Sequence, residues 1–157
     1  MQLTVLGLNH KTAPVEIRER FNLSEDRIKT ILTNLRRFDE IQEAVILSTC
    51  NRTEIYMVID NPEKTIPLFK LQLEKMAGEA YNPDYFYHLN GTKCVRHLFR
   101  VAASLDSLIL GEGQILSQIK AAYQLARNNE STGYMLNQIM NKAIAVGKRV
   151  RTETRIA

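Results

Sequence analysis

The sequence predicts an α+β fold: a split βαβ, ferredoxin-like sandwich with a four-stranded antiparallel sheet, followed by a helical subdomain. Three observations carry this reading. Apolar runs rich in β-branched and aromatic residues recur, with polar breaks, up to Asn90. Helical spacing falls between the first and second of these runs and again between the third and fourth. From Thr92 onward only helical spacing remains, so residues 1–90 divide from residues 91–157.

Leu3, Val5 and Leu8 mark a first strand ending at Asn9-His10-Lys11. Thr12-Ala13-Pro14 offers a helix start, since proline has no amide hydrogen to lose in a first turn. Ser24-Glu25-Asp26-Arg27 opens a second helix, in which Ile28, Ile31, Leu32 and Leu35 recur at helical spacing. Ala44-Val45-Ile46-Leu47 and Ile55-Tyr56-Met57-Val58-Ile59 read as strands, with Ser48-Thr49-Cys50-Asn51-Arg52-Thr53-Glu54 as a polar apex between them. Asn61-Pro62 closes the second of these strands, and a helix follows over about 63–77. Tyr85-Phe86-Tyr87-His88 forms a last strand before the turn at Asn90-Gly91. Helices then cover about 92–103, 105–128 and 134–152, with Ser131-Thr132-Gly133 breaking the last two.

Hydrophobic residues make up 45% and charged residues 24% of the 157, a globular balance that excludes a disordered chain. No run approaches the roughly 20 apolar residues of a membrane span. Met1-Gln2-Leu3-Thr4-Val5 reads directly as strand, without the basic-then-apolar order of a signal peptide. Cys50 and Cys94 are too few for a disulfide scaffold, so a reduced, cytoplasmic protein is expected. The net charge of +4 is concentrated: between residues 142 and 157, Lys142, Lys148, Arg149, Arg151 and Arg155 face only Glu153. Such a segment can meet a polyanion, or it can be an ordinary solvated helix face.

Three constellations can carry chemistry. Cys50 stands on a polar apex between apolar strands, where a rigid scaffold presents a thiol that remains reachable. A thiol attacks as its thiolate, which nearby positive charge favours, and Arg52 is two residues away. Equally, a cysteine there can be a small hydrophobe at a strand end. Cys94-Val95-Arg96-His97 supplies two possible zinc ligands where a site needs three or four, and no other His or Cys has a matching spacing, so no metal is expected. His97 then reads as a core histidine or as a pocket histidine that moves protons near neutral pH. On a continuous helix Ser107, Gly111, Gln114 and Gln118 share one face, opposite Leu105, Leu108, Ile109, Ile115, Ile119 and Ala122. That neutral polar stripe suits a small polar substrate. Gly111-x-Gly113 is no dinucleotide fingerprint, because Leu116 occupies the third glycine's place.

Four stretches together resemble the glutamyl-tRNA reductase family. They are Gly7-Leu-Asn-His-Lys-Thr-Ala-Pro14 with Ile17-Arg18-Glu19, Ser48-Thr-Cys-Asn-Arg-Thr-Glu-Ile-Tyr56, His97 through Leu116, and Val146 through Thr154. The resemblance implies that Cys50 attacks the ester of glutamyl-tRNA(Glu), releases the tRNA and holds glutamate as a thioester. A hydride from NADPH then yields glutamate-1-semialdehyde for tetrapyrrole synthesis. It further implies that Cys50 and His97 are catalytic, and that Thr49, Cys50, Asn51, Arg52, Ser107, Glu112, Gly113, Gln114 and Gln118 bind substrate. Arg52 would fork onto a substrate carboxylate or favour the thiolate. Family proteins continue into a connecting helix, a Rossmann domain and a dimerisation domain, so this chain is expected to be a piece that binds no NADPH. The expected behaviour is acyl transfer and slow hydrolysis by a monomer. The longer protein is expected to be a homodimer that meets glutamate-1-semialdehyde aminomutase. A non-catalytic tRNA-binding module is the alternative.

Overall fold

A computed structural model describes residues 1–77, 82–106 and 114–154. Its elements are β1 (Gln2–Asn9), α1 (Val15–Arg20), α2 (Glu25–Leu35), β2 (Ile41–Ser48), β3 (Arg52–Ile59), α3 (Pro62–Ala77), β4 (Tyr87–Asn90), α4 (Thr92–Ala102), α5 (Gln114–Asn128) and α6 (Tyr134–Thr154). The sheet order is β2-β3-β1-β4, and every neighbouring pair is antiparallel. The connection from β1 to β2 therefore crosses β3, and that from β3 to β4 crosses β1. This is the doubled split βαβ arrangement that the sequence predicts.

All eight positions of β3 are buried, which requires cover on both faces of the sheet. On one face Val45, Leu47 and Tyr56 meet Leu98, Ile119, Ala122 and Met140 from α4, α5 and α6. On the other, Ser48 Oγ accepts from the Leu23 amide at 2.9 Å, and Thr53 donates to the Phe21 carbonyl at 2.9 Å. Alternation along β3 thus sends Arg52, Glu54 and Tyr56 to the helical layer, and Thr53, Ile55 and Met57 towards α1 and α2.

Local chemistry sets several boundaries. Ser24 caps α2, its hydroxyl accepting from the Arg27 amide at 3.3 Å. Gly91 stands before α4 at φ +57°, a conformation that side chains disfavour. The start of α6 is capped from far away in sequence: Glu43 accepts from the Gly133, Leu136 and Met135 amides at 2.6, 2.8 and 3.3 Å. Beside it, the Ala44 amide donates to the Ser131 carbonyl, and Ser131 Oγ donates back to the Ala44 carbonyl, both at 2.8 Å. Further along, α6 closes on α4 at Gly147, where a Cβ would stand 2.6 Å from the Ala102 carbonyl oxygen.

Three sequence expectations need correction. The polar apex is only Thr49–Asn51, because β3 already begins at Arg52 and Arg52, Thr53 and Glu54 are strand residues. The last strand is Tyr87–Asn90, preceded by a 3-10 turn at Pro83–Tyr85 that the Asn82 side chain caps. The helix expected from residue 105 does not start there: α4 gives way to a turn through residues 103–106, with Ser104 at φ 62°, and α5 is described from Gln114. Leu105 is consequently 41% exposed and not part of the apolar stripe, whereas Ile115 and Ile119 are buried as expected. Leu108, Ile109 and Gly111 lie outside the described residues. No described helix is long and apolar enough to cross a membrane.

Candidate active site

The antiparallel register brings the end of β1, the end of β2, the start of β3 and the start of β4 to one edge, pairing Asn9 with Arg52, Ser48 with Thr53, and Gly7 with both Glu54 and Tyr87. The Cys50 turn at this edge is closed by its own backbone and by Thr49. The Thr49 amide donates to the Arg52 carbonyl at 2.7 Å, and Thr49 Oγ1 accepts from the Asn51 and Arg52 amides at 3.1 and 3.2 Å. Cys50 is exposed at its tip. Arg18 of α1 leans across, its Nη1 donating to the Ala13 carbonyl at 2.8 Å and its Nε to the Cys50 carbonyl at 3.5 Å. Neighbouring β1 ends in a tight turn held by Asn9, whose Oδ1 accepts from the Lys11 amide at 2.9 Å. The partly buried His10 follows, its Nδ1 buried without a hydrogen-bond partner.

Beneath the edge lies a buried charged network. Arg52 is 2% exposed and Glu54 not at all. Arg52 Nη1 donates to Glu54 Oε2 at 3.1 Å, while Nη2 reaches both the carbonyl and, at 3.3 Å, the Oδ2 of Asp106. Lys11 Nζ bonds the other Asp106 oxygen at 2.8 Å, carrying the alternation of charge out to solvent. Glu54 also receives the Tyr56 hydroxyl on Oε1 at 2.8 Å, and the Tyr87 hydroxyl and His97 Nε2 on Oε2. Gly7 makes room for this, since a Cβ there would stand 2.8 Å from Glu54 Cγ.

Burial pushes the Glu54 carboxyl up, but the hydrogen bond from His97 and the charge of Arg52 outweigh it, and the carboxyl sits below its ordinary value. Burial disfavours the Arg52 cation, yet Glu54 more than offsets this and raises it. Burial and then Glu54 drive the Tyr56 and Tyr87 phenols well up, so both stay protonated donors. Asp106 is raised by burial but lowered further by its bond from Lys11 and by Arg52. Because Glu54 remains a carboxylate that can only accept, the proton on His97 belongs to Nε2, and Nδ1 is the nitrogen left for other work. The Tyr87 ring holds the imidazole from the side, with centroids 5.3 Å apart.

Of the residues that the sequence singles out, Thr49, Cys50, Asn51 and Arg52 share the turn, and His97 meets Arg52 through Glu54. Arg52 does not present a free fork: both terminal nitrogens already meet protein acceptors. Gln114 is exposed at the start of α5 and Gln118 partly buried one turn on. Ser107, Glu112 and Gly113 lie outside the described residues. Cys94 is fully buried, its thiol pushed up to about 12 by burial and by Glu54, which opposes any nucleophilic role. Sequence reasoning missed Glu54, Tyr56, Tyr87 and Asp106. Arg52, Glu54 and Tyr56 would have emerged as one face had the strand been extended back to residue 52, whereas nothing local marks Tyr87 or Asp106.

The chain spans about a third of the length of curated relatives that it matches. A glutamyl-tRNA reductase of Synechococcus sp. (strain RCC307) is 45% identical over 99% of this chain and 36% of its own length. One from Prochlorococcus marinus (strain MIT 9313) is 46% identical over the same shares. Among solved structures, glutamyl-tRNA reductase from Methanopyrus kandleri superimposes with a TM-score of 0.78 at 31% identity, covering 99% of this chain and 35% of that one. The family model described as "Glutamyl-tRNAGlu reductase, N-terminal domain" matches residues 6–154, and with the shared fold this establishes that the chain belongs to the glutamyl-tRNA reductase family.

Proposed function

We propose that this chain performs the acyl-accepting half of glutamyl-tRNA reduction, with Cys50 as nucleophile. The observation that carries the reading is that Cys50, the exposed one of two free thiols, tips a turn built directly onto the buried Arg52–Glu54–His97 network. The sulfur attacks the carbonyl carbon of the glutamyl ester, the bond to the ribose oxygen breaks, and that oxygen leaves with the proton the thiol gives up. His97, with Nε2 committed to Glu54, offers Nδ1 as carrier of that proton. Thr49, Asn51, Ser107, Glu112, Gly113, Gln114 and Gln118 form the substrate-binding set, while Arg52, its guanidinium already paired, organises the turn from beneath.

In the longer protein the thioester is reduced with NADPH to glutamate-1-semialdehyde, the tetrapyrrole precursor. The residues here do not fit that cofactor. Gly111-x-Gly113 is the one G-x-G of the sequence, and Leu116 stands where a dinucleotide fingerprint needs its third glycine. Reduction is therefore assigned to no residue of this chain, which by itself transfers and slowly hydrolyses the acyl group. The cytoplasm is the expected setting, with a homodimeric longer protein that hands its product to glutamate-1-semialdehyde aminomutase.

Mass spectrometry after incubation with glutamyl-tRNA(Glu) tests this. A glutamyl adduct on Cys50 is expected, lost in Cys50→Ser and kept in Cys94→Ser; a hydroxyl lacks the thiol's accessible anionic form. An adduct on the serine variant, or none on a folded wild-type chain, overturns it. The exposed Lys142, Lys148, Arg149 and Arg151 of α6 favour a second reading, a tRNA-binding module. That reading predicts salt-sensitive tRNA binding without any adduct.

A further inference from the structure

His10 lies at the edge within the Gly7–Pro14 stretch, and the acyl transfer proposed above gives it no role. Tethered by the Asn9 turn, it directly follows the Asn9–Arg52 pair that ends the β1–β3 ladder, so the topology sets it beside the Cys50 turn. Its charged neighbours come from every element around it: Arg52 from β3, Asp106 from the turn after α4, Lys11 from its own loop and Arg18 from α1. Arg18 also donates to the Cys50 backbone carbonyl at 3.5 Å, so the same guanidinium whose charge acts on His10 borders the Cys50 turn. Buried polar atoms are almost always hydrogen-bonded, and exceptions call for an explanation. Nδ1 of His10 is such an exception: enclosed and without an acceptor, it suits the bare lone pair of a neutral ring, which leaves the ring proton on Nε2 as the donor. Burial first, then the charges of Arg52, Lys11 and Arg18, hold the imidazole below its ordinary titration range, with only Asp106 opposing.

From this geometry we infer that His10 donates a hydrogen bond to the substrate carbonyl oxygen as that oxygen becomes an oxyanion under attack by Cys50. A neutral ring among cations is a poor proton acceptor but a strong hydrogen-bond donor, and its N–H needs no proton transfer to stabilise developing charge. In the step itself the sulfur–carbon bond forms and the carbonyl electron pair moves onto oxygen beside His10. Its return expels the ribose oxygen, which takes the thiol proton; nothing is oxidised or reduced. This assignment rests on the acyl transfer proposed above and adds a role distinct from that of His97.

Two reactions of the same thiol separate this role from others. Alkylation by iodoacetamide displaces iodide at a saturated carbon and develops no carbonyl oxyanion, whereas transfer from glutamyl-tRNA(Glu) does. His10→Phe is expected to slow thioester formation on the order of 10²-fold, the usual effect of losing one oxyanion donor, while alkylation stays within about twofold of wild type. His10→Gln, which restores an N–H donor, should recover most of the loss. Thioester formation at the wild-type rate in His10→Phe overturns the assignment. So does a parallel fall in alkylation, which would make His10 a base or a support of the turn, and so does a glutamine variant as slow as phenylalanine. A wild-type chain that alkylates but accepts no glutamate would instead refute the acyl transfer itself.

Discussion

Two glutamates on adjacent strands fasten the sheet to the helical layer, and they do so by opposite means. Glu43, on the edge strand β2, receives three backbone amides from the start of α6 and stays partly exposed. Glu54, on the central strand β3, has no exposure and receives four side-chain donors, from Arg52, Tyr56, Tyr87 and His97. At Glu43 water solvates part of the carboxylate, and the bonds replace what the helix start would otherwise find in solvent. Full desolvation at Glu54 leaves the charge dependent on its partners and leaves them dependent on it. The same side chain is an ordinary cap in one place and an organiser in the other, and depth alone makes the difference.

The largest effect is expected at the buried carboxylate. Glu54→Gln replaces an acceptor-only group facing four donors with one acceptor oxygen and an opposing NH₂, and strands Arg52 with Asp106 alone. Breaking a buried pair in this way costs about 3–5 kcal/mol. Urea denaturation measures it, and a loss no greater than that of Glu43→Gln would break the comparison. Acid should expose the same asymmetry. Glu54 is held below its ordinary carboxyl value of 4.5, so its contribution is complete above that pH and disappears as the pH falls through its folded value. Asp106, lowered by Lys11 and Arg52, acts in the same direction. Urea midpoints of the wild-type chain should therefore drop below about pH 4.5, and those of Glu54→Gln should drop less. Equal slopes would show that Glu54 is not ionised in the folded chain. The smallest change is expected for Glu43→Gln. It keeps an oxygen for Gly133 and Leu136 and loses the second acceptor and the charge at the helix start, about 1 kcal/mol by the same titration.

Much of this molecule is legible without coordinates, because the signals are local. Apolar runs rich in β-branched and aromatic residues, together with helical spacing, place most of the strands and helices, Ser24 marks the start of α2, and the Cys50 apex offers a thiol between two apolar strands. The linear reading failed where neighbours in space are far apart in the chain. Arg52 looked like a free cation beside a nucleophile, yet the 54 positions to Asp106 and the two to Glu54 turn it into a buried ion-pair partner. Glu54 looked like the polar rim of a loop, but strand alternation and the 43-residue reach to His97 place it at the centre. Glu43 carried no sign that it caps a helix 90 residues away. The sequence alone therefore determined most of the strands and helices, though not where β3, β4 and α5 begin, since backbone geometry and apolar spacing act over a few residues. Which charges are buried, which are paired and which histidine nitrogen is free were decided only by tertiary structure, because desolvation and Coulomb attraction depend on distance in space and not along the chain.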